Sequence, residues 1–235
     1  TWLDLPDGYY RLEYDDPLRR QLREQAAWEA IERNREIIDG LALEDLLPQV
    51  HERAGTTITT HHMSNGECAD FSAPEEGMNR GFTSIFTLDL ATPTLEFEAD
   101  HIVGNSPLVY ASEDVLIVAE PSFAGWWFWG NDDLDESTNL HTFDISNPGT
   151  TLYTGSGRVN GTVLDQFSLS EHEGIVRVAT TTGQWGRWWM EDPEPMVSHV
   201  VTLERAADLE TGEQILRQIG HVGGLAEGER IWSAR

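Results

Sequence analysis

Lysine is absent from this sequence: all 15 basic residues are arginine, and they face 41 acidic residues, which gives a formal net charge of −26. Proteins that bind nucleic acids neutralise phosphates with Lys and Arg, so this imbalance excludes a nucleic-acid partner. It also excludes electrostatic attraction to the anionic surface of a membrane. The acidity instead favours partners that carry positive charge.

Cysteine and long apolar stretches are equally scarce. The single cysteine, Cys68, excludes an internal disulfide framework and a zinc cage built from thiolates. No apolar run reaches the roughly 18 residues that a membrane-spanning helix needs, so we expect no membrane insertion in this segment. No signal peptide is recognisable, and because the chain begins at Thr1 instead of Met, we expect a processed or truncated amino end.

Sequence motifs of common enzymes are also missing. The chain contains no H-E-x-x-H, G-x-S-x-G, Walker or G-x-G-x-x-G pattern. Its acids are too numerous for any one pair to be singled out as a general acid and a general base. No residue is therefore predicted to be catalytic, and nothing in the sequence identifies an enzyme.

One helix is predicted near the amino end. A short strand is expected at Tyr9–Tyr14, after which the period of the apolar residues changes from two to about 3.6. Asp16 is suited to the N-cap position and Pro17 to the first helical position, where its missing N–H costs nothing. The helix should run to Asp39, with Gly40 ending it in a left-handed cap.

From Gly55 onward, short strands alternate with polar loops in a pattern that recurs about every 60 residues. Each repeat has a strand end of similar sequence, a further strand, and then a glycine-containing motif. The strand ends are Thr87–Asp89, Thr142–Asp144 and Thr202–Glu204, and the glycine motifs are Ile102–Gly104, Val159–Gly161 and Val222–Gly224. An inner hairpin is expected after the first two motifs, at Leu108–Pro121 and Val163–Thr182, and a truncated one at Arg230–Arg235 after the third. A repeat of this length with about four strands is typical of β-propeller blades.

The second of these hairpins also carries a family resemblance. Its predicted arms are Val163–Leu169 and Ile175–Thr182, joined by a turn that ends in Glu173-Gly174. The motif G-x-V-x-G followed by Q-F-S-x-x-E-x-x-G-x-x-R-V-A-T-T resembles the signature of the secreted β-propeller-domain proteins of bacteria and archaea. The L-x-x-L-L-P that ends at Pro48 is similar to the helical insertion of that family. The strand H-T-F-D-I resembles its H-K-F-D-I, with Thr142 in place of the usual Lys.

The resemblance and the repeat together predict an all-β fold. We expect a partial β-propeller of about three four-stranded antiparallel blades with one N-terminal helical insertion. Residues 1–14 would be a strand from a preceding blade, 15–50 the helical insertion, and 51–235 the blades. Closed propellers use four to eight blades, so we expect a fragment of a larger propeller, or one completed by a second copy. Exposed terminal blades would promote self-association. The resemblance implies an extracellular or cell-envelope location.

Tryptophan is concentrated in two loops, which are the candidate binding site. Gly125–Asn131 and Gly183–Met190 occupy matching positions in successive repeats, and their tryptophans are Trp126, Trp127, Trp129, Trp185, Trp188 and Trp189. If these side chains are exposed, they form an apolar surface suited to stacking against sugar rings or aromatic groups. The alternative is that they fold back and cap the blades, as large aromatic side chains usually do.

Two groups of polar residues are candidate metal ligands. Asp132, Asp133 and Asp135 follow the first tryptophan loop and offer the carboxylate oxygens that a structural Ca²⁺ prefers, although a solvated acidic loop is the favoured explanation in a chain this acidic. His61 and His62 lie near Cys68 and Asp70. However, adjacent residues of a strand point to opposite faces, which argues against one shared ion. His172-Glu173 is interpreted as a structural contact of the hairpin turn.

These observations favour an extracytoplasmic scaffold that binds a protein or a glycan through the tryptophan loops. The alternative is a hydrolase or a lyase whose active site lies on the propeller axis and is completed by residues outside this chain. Converging His, Asp, Glu or Arg side chains at inner strand ends would favour the enzyme. Exposed tryptophans without such a cluster would favour binding.

Overall fold

The computed structural model describes residues 3–42, 45–63, 71–73, 81–92, 94–104, 108–122, 136–183 and 195–231. The chain divides into two compact units, Thr1–Gly66 and Glu67–Arg235. The first contains a helix and one hairpin, and the second consists of strands. The prediction of a mostly β chain with one N-terminal helix is confirmed. None of the helices in the described ranges is long and apolar enough to cross a membrane.

The helix of the first unit, α1, runs from Pro17 to Asp39, as the sequence predicts. It begins where the carboxylate of Asp16 accepts a hydrogen bond of 2.8 Å from the amide of Leu18. The predicted left-handed cap is wrong: Gly40 has φ −92°, and its amide donates to Ile37 within a last tight turn. The hairpin that follows pairs β1 (Gln49–Ala54) with β2 (Thr57–His62).

Tyr9–Arg11 form a short 3-10 helix and not the start of the predicted strand. Gly8 has φ 93°, and the amides of Tyr9, Arg11 and Leu12 each donate to the carbonyl three residues earlier. These local hydrogen bonds occupy backbone groups that a strand would use to pair with a neighbouring strand. The assignment of residues 1–14 to a preceding blade stays a prediction.

The second unit contains eleven described strands in two sheets. They are β3 (Phe71–Ser72), β4 (Phe82–Leu88), β5 (Phe97–Val103), β6 (Leu108–Ala111), β7 (Val115–Ser122), β8 (Ser137–Asp144), β9 (Leu152–Asn160), β10 (Leu169–His172), β11 (Ile175–Thr182), β12 (Val197–Ala207) and β13 (Gln214–Leu225). One sheet has three strands in the order β3-β5-β4, and the other has eight in the order β10-β11-β12-β13-β9-β8-β7-β6.

The repeat seen in the sequence corresponds to a repeat of hairpins. The three similar strand ends lie in β4, β8 and β12, and each of these strands pairs antiparallel with the next strand along the chain. The inner hairpins predicted at Leu108–Pro121 and Val163–Thr182 are β6–β7 and β10–β11. In the second, the turn is at Glu173-Gly174 as predicted, with φ values of 52° and 80°. The predicted arm Val163–Leu169 is wrong: Asp165 caps a 3-10 turn at Gln166–Ser168, so β10 begins only at Leu169.

The eight-stranded sheet consists of two four-stranded antiparallel meanders, β6–β9 and β10–β13. A single parallel pair, Ile215 with Ser156, joins them, so they form one continuous sheet and not two separate ones. Glycines on both sides of Ser156 permit this approach, because a Cβ at Gly157 would lie 2.8 Å from Cβ of Leu216 and one at Gly155 would lie 3.1 Å from the backbone of Ile215. The two ends of the sheet also meet, where the amide of Glu171 in β10 donates to the hydroxyl of Tyr110 in β6 at 3.4 Å.

Two apolar cores hold these strands together. The larger core lies between the two meanders, and its buried residues come from both: Val115, Ile117, Ala119, Leu140, Val159, Val163, Leu169, Val176, Val178, Val201, Leu203 and Leu216. The smaller core joins the opposite face of the first meander, through Val118 and Phe143, to Ile102 of the three-stranded sheet. The first meander is therefore covered on both faces.

Candidate functional site

The candidate binding residues from the sequence fall outside the described residues. Residues 123–135 separate β7 from β8, and residues 184–194 separate β11 from β12. They contain every tryptophan assigned to the site and the three aspartates assigned to a calcium ion: Trp126, Trp127, Trp129, Trp185, Trp188, Trp189, Asp132, Asp133 and Asp135. The binding site and the calcium ion therefore stay predictions. What the structure shows is the geometry of the strand ends beside these two segments.

The two tryptophan-rich segments have the same position in the two meanders. Each connects the second strand of its meander to the third. The ladder beside the first segment ends with the pair Ser122 and Ser137, and the ladder beside the second ends with the pair Thr182 and Val197. The equivalence inferred from the sequence repeat is therefore seen in the strands that flank the segments.

A short linker, residues 160–163, holds the start of β8. The amide of Gly161 donates to the carbonyl of Glu136 at 2.6 Å, immediately after the first tryptophan-rich segment. The buried hydroxyl of Thr138 donates to the carbonyl of Gly161 at 2.8 Å and accepts a longer bond of 3.4 Å from the amide of Val163. These bonds fix the point at which the first segment rejoins the sheet.

The same linker also holds the end of β11. Thr162 and Thr181 exchange two backbone hydrogen bonds of 2.9 and 3.1 Å, and the hydroxyl of Thr180 donates to the carbonyl of Asn160 at 2.7 Å. Thr181 lies two residues before Gly183, where the second segment leaves the sheet. Both segments therefore join the sheet at one end of it, which we call the loop rim: Ser122, Glu136–Thr138, residues 160–163, Thr180–Thr182 and Val197.

The backbone conformation and surroundings of residue 161 explain why a glycine stands in this linker. It has φ 89°, which a residue with a Cβ rarely adopts. A Cβ at this position would also lie 2.9 Å from the hydroxyl oxygen of Thr180. Glycine is therefore required at position 161 by the close passage of the linker between β8 and β11.

Two histidines lie beside the loop rim on neighbouring strands, and sequence reasoning did not single them out. Nδ1 of His199 in β12 lies 3.1 Å from Nε2 of His221 in β13, and the rings stack with their centroids 5.3 Å apart. Nε2 of His199 lies 3.1 Å from the hydroxyl of Thr182, a rim residue. Burial and the neighbouring His221 lower the pKa of His199, so its ring is neutral at neutral pH. Their separation of 22 residues gives no local signal in the sequence.

The histidines that the sequence did single out lie apart from this pair. In the hairpin of the first unit, Nε2 of His61 lies 3.1 Å from a carboxylate oxygen of Glu52, while His62 is exposed. The cluster with Cys68 and Asp70 lies outside the described residues. Among the residues that are described, no group of three or more His, Cys, Asp or Glu side chains is arranged to hold a metal ion.

Other polar features of the second unit have structural roles. An open groove of about 420 Å³ contains the carboxylates of Asp89, Glu96 and Glu98. Asp89 and Glu98 already accept backbone hydrogen bonds of 2.8 and 2.7 Å, from Ala91 and Thr151. In the turn after β10, Glu171 accepts a 2.7 Å bond from the amide of Gly174, while His172 and Glu173 lie 4.0 Å apart as an exposed pair.

Comparisons with known proteins support the repeat architecture. The model of a family described as a β-propeller domain matches residues 18–235. An uncharacterised protein of the archaeon Methanocaldococcus jannaschii is 31% identical over 97 residues, which is 41% of this chain. The matched region is 12% of that relative, so the chain corresponds to a small part of its length. No solved structure matches the chain.

Proposed function

Because this chain belongs to the β-propeller domain family, we propose that it is a binding domain whose two tryptophan-rich segments engage a protein or a glycan at the loop rim. The observation that carries the proposal is the shared linker. Residues 160–163 form hydrogen bonds to the strand ends beside both segments, so the described strands that flank the two segments meet at one rim of the sheet.

The proposal includes a finer interpretation of the fold. We interpret the meanders β6–β9 and β10–β13 as two neighbouring blades, and the sheet β3-β5-β4 as part of a third. Two features support this interpretation. Each meander has four antiparallel strands in chain order, and the first meander packs against the second on one face and against the three-stranded sheet on the other. This stacking is how the blades of a propeller cover one another.

Tryptophan is the side chain best suited to such a surface. Its ring stacks on sugar rings, on other aromatic groups and on the guanidinium plane of arginine, and it loses little rotamer entropy when it binds. The net charge of −26 adds long-range attraction for a partner with cationic groups. The favoured partner therefore presents flat ring faces or arginine side chains.

Binding is favoured over catalysis because a titratable group with a strongly lowered pKa is closed to solvent. His141, whose pKa burial lowers to about 4, is 1% exposed and lies beside the smaller core. A substrate has no access to it there. The axial hydrolase or lyase considered from the sequence gains no support from this residue.

The proposal is tested by retention of the purified chain on immobilised probes. Insoluble chitin and cellulose represent glycans, and an immobilised arginine-rich peptide represents a protein partner. We expect the wild-type chain to be retained on at least one probe, and the double variant W127A/W188A to bind that probe at least tenfold more weakly. Trp28→Ala is the matched control, because Trp28 is a tryptophan with 64% exposure that lies on α1 in the first unit.

Two outcomes would contradict the proposal. One is equal retention of the wild type and the double variant on every probe. The other is a double variant that loses binding only because it melts far below the wild type, which would make these tryptophans core residues. Repeating the retention measurements at rising salt concentration separates stacking from charge attraction, because salt screens only the charge attraction.

We also propose that the chain works outside the cytoplasm, in the extracellular space or the cell envelope. The resemblance to a secreted family supports this location, and the excess of acids is compatible with it. Cell fractionation followed by mass spectrometry of the mature protein is the direct test. Recovery of the protein only from the cytoplasmic fraction would overturn the proposal.

A further inference from the structure

The backbone of β13 beside the histidine pair has two features that bear on how the two rings meet. β13 carries one extra residue between its pairings with Ser198 and Val200, and this bulge coincides with Gly224, whose φ is 69°. His221 is paired with Val201, two residues after His199, so the two histidines lie diagonally across from each other beside the bulge. A Cβ at Gly223 would lie 2.8 Å from Nδ1 of His199, so glycine at this position leaves room for the two rings.

A hydroxyl determines which nitrogen of His199 has the free lone pair. The hydroxyl of Thr182 lies 3.3 Å from the carbonyl of Val197, to which it can donate its single proton. In that arrangement the oxygen of Thr182 accepts the Nε2–H of His199 at 3.1 Å. The neutral ring then has its lone pair on Nδ1, which faces Nε2 of His221. Such a hydrogen bond to the distal nitrogen is how proteins orient histidines that bind metals.

The distance between the two facing nitrogens fits coordination of one ion. Nitrogens at about 2.05 Å from a metal stand roughly 2.9 Å apart at a right angle and roughly 3.3 Å apart at the tetrahedral angle. The observed separation is 3.1 Å. His221 is exposed and His199 is partly exposed, so an ion can reach the pair from solvent.

We propose that His199 and His221, with Thr182 as the positioning residue, form a binding site for a divalent transition-metal ion such as Zn²⁺, Ni²⁺ or Cu²⁺. Imidazole nitrogen suits these ions, whereas Ca²⁺ and Mg²⁺ prefer oxygen. Nδ1 of His199 and Nε2 of His221 are the two protein ligands, and water completes the coordination. His221 moves its ring proton to Nδ1 when the ion binds, so two neutral imidazoles face the metal.

The first test is calorimetric titration of the purified chain with Zn²⁺ and, separately, with Ni²⁺. We expect one ion per chain, and a loss of affinity of at least tenfold in both His199→Gln and His221→Gln. His172→Gln is the matched control, because His172 is an exposed histidine at the end of β10 and its replacement should leave the affinity unchanged. Equal affinity in the wild type and in both variants of the pair would overturn the proposal.

The second test reports on the positioning residue and on the wild-type chain itself. Thr182→Val should weaken Zn²⁺ binding several-fold and Thr182→Ser should restore it, because only a hydroxyl fixes the tautomer of His199. In the wild type, ¹⁵N NMR of the imidazoles should show Zn²⁺-dependent shifts at Nδ1 of His199 and at Nε2 of His221. If those two signals do not respond to Zn²⁺, the assignment is wrong, whatever the stability of the variants.

Discussion

The hydroxyl of Tyr153 lies 3.2 Å from Nδ1 of His141, across the neighbouring strands β8 and β9. Both rings adjoin the smaller core, where Tyr153 also meets Phe143 edge-on at a centroid distance of 5.3 Å. Nε2 of His141 has no hydrogen-bond partner among the described residues, and burial lowers the pKa of this ring to about 4. Burial raises the pKa of Tyr153, and this effect exceeds that of the hydrogen bonds to Ser156 and Ser72, which lower it. The first meander therefore holds a neutral imidazole in its interior.

This pair predicts how stability depends on pH. In the unfolded chain His141 takes up a proton near pH 6.5, whereas in the folded chain it does so only near pH 4. The unfolded state binds more protons between these values, so the free energy of unfolding rises with pH across this window and falls as the solution is acidified. The shift corresponds to about 3 kcal/mol, fully lost below pH 4. Urea titrations at half-unit steps from pH 4 to pH 7.5 measure it.

Carboxylates also titrate in this window, so the measurement needs a matched variant. His141→Gln keeps a polar group near Tyr153 but cannot bind the proton. We expect it to be less stable than the wild type at pH 7 and to show a shallower dependence on pH between 4 and 6.5. Parallel curves for the two proteins would mean that His141 protonates in the folded state as readily as in the unfolded state.

The contact between the two meanders gives the second prediction. A Cβ added at Gly157 would lie 2.8 Å from both Cβ and the carbonyl oxygen of Leu216, and neither group can move without disturbing the larger core. Gly157→Ala should therefore destabilise the chain by about 1–3 kcal/mol, the usual cost of overpacking. Urea denaturation at pH 7.5 measures the change.

Gly40→Ala is the control for this substitution. Gly40 has φ −92°, and a Cβ there would meet its nearest neighbours, two helix carbonyls, at an ordinary 3.5 Å. Alanine restricts the unfolded chain more than glycine does, so this change should leave stability unaltered or raise it by a few tenths of a kcal/mol. If both alanine variants behaved alike, the close approach at Gly157 would have no energetic consequence.

Much of the fold could be predicted because its signals are local. Asp16 and Pro17 mark the start of α1 through adjacent residues, and Glu173-Gly174 marks a hairpin through its turn alone. The ends of elements were less predictable, since Gly40 has a right-handed φ and Asp165 diverts the chain into a 3-10 turn. The joining of the two meanders through Ile215 and Ser156 was not predictable. It depends on residues 59 positions apart and on how closely two backbones approach.

In the candidate site, too, the features with a signal along the chain could be predicted, and those that depend on contacts between strands could not. Repetition along the chain was enough to recognise that the two tryptophan-rich segments are equivalent, because each follows the second strand of a hairpin. The contact between His199 and His221 was hidden, because it depends on the register in which β12 pairs with β13, where Val201 lies opposite His221. Alternation of side chains along one strand carries no information about its register with the neighbouring strand.

The third prediction concerns self-association through β13. Its contact with β9 is a single residue pair at Ile215, so within the described strands the rest of that edge has no partner. Val222, near the far end of β13, is 57% exposed. An edge with exposed apolar side chains promotes pairing between copies. We expect concentration-dependent association by light scattering, reduced at least severalfold by Val222→Glu. Leu209→Glu, at a turn residue that is 98% exposed, is the control and should leave association unchanged.

The last prediction concerns the exposure of the tryptophans. If Trp127 and Trp188 stack on a partner, their rings must be open to solvent in the free chain. Neutral acrylamide is the suitable quencher, because a net charge of −26 repels iodide. W127A/W188A should then lower the quenchable fraction of the fluorescence and leave the melting temperature almost unchanged, as should Trp28→Ala, whose ring is 64% exposed. A buried tryptophan behaves differently, since its replacement by Ala costs about 3–5 kcal/mol, which in a chain of this size lowers the melting temperature by roughly 6–20 °C. A fall of that size, with the quenchable fraction unchanged, would place both rings in a core and remove them from the binding surface.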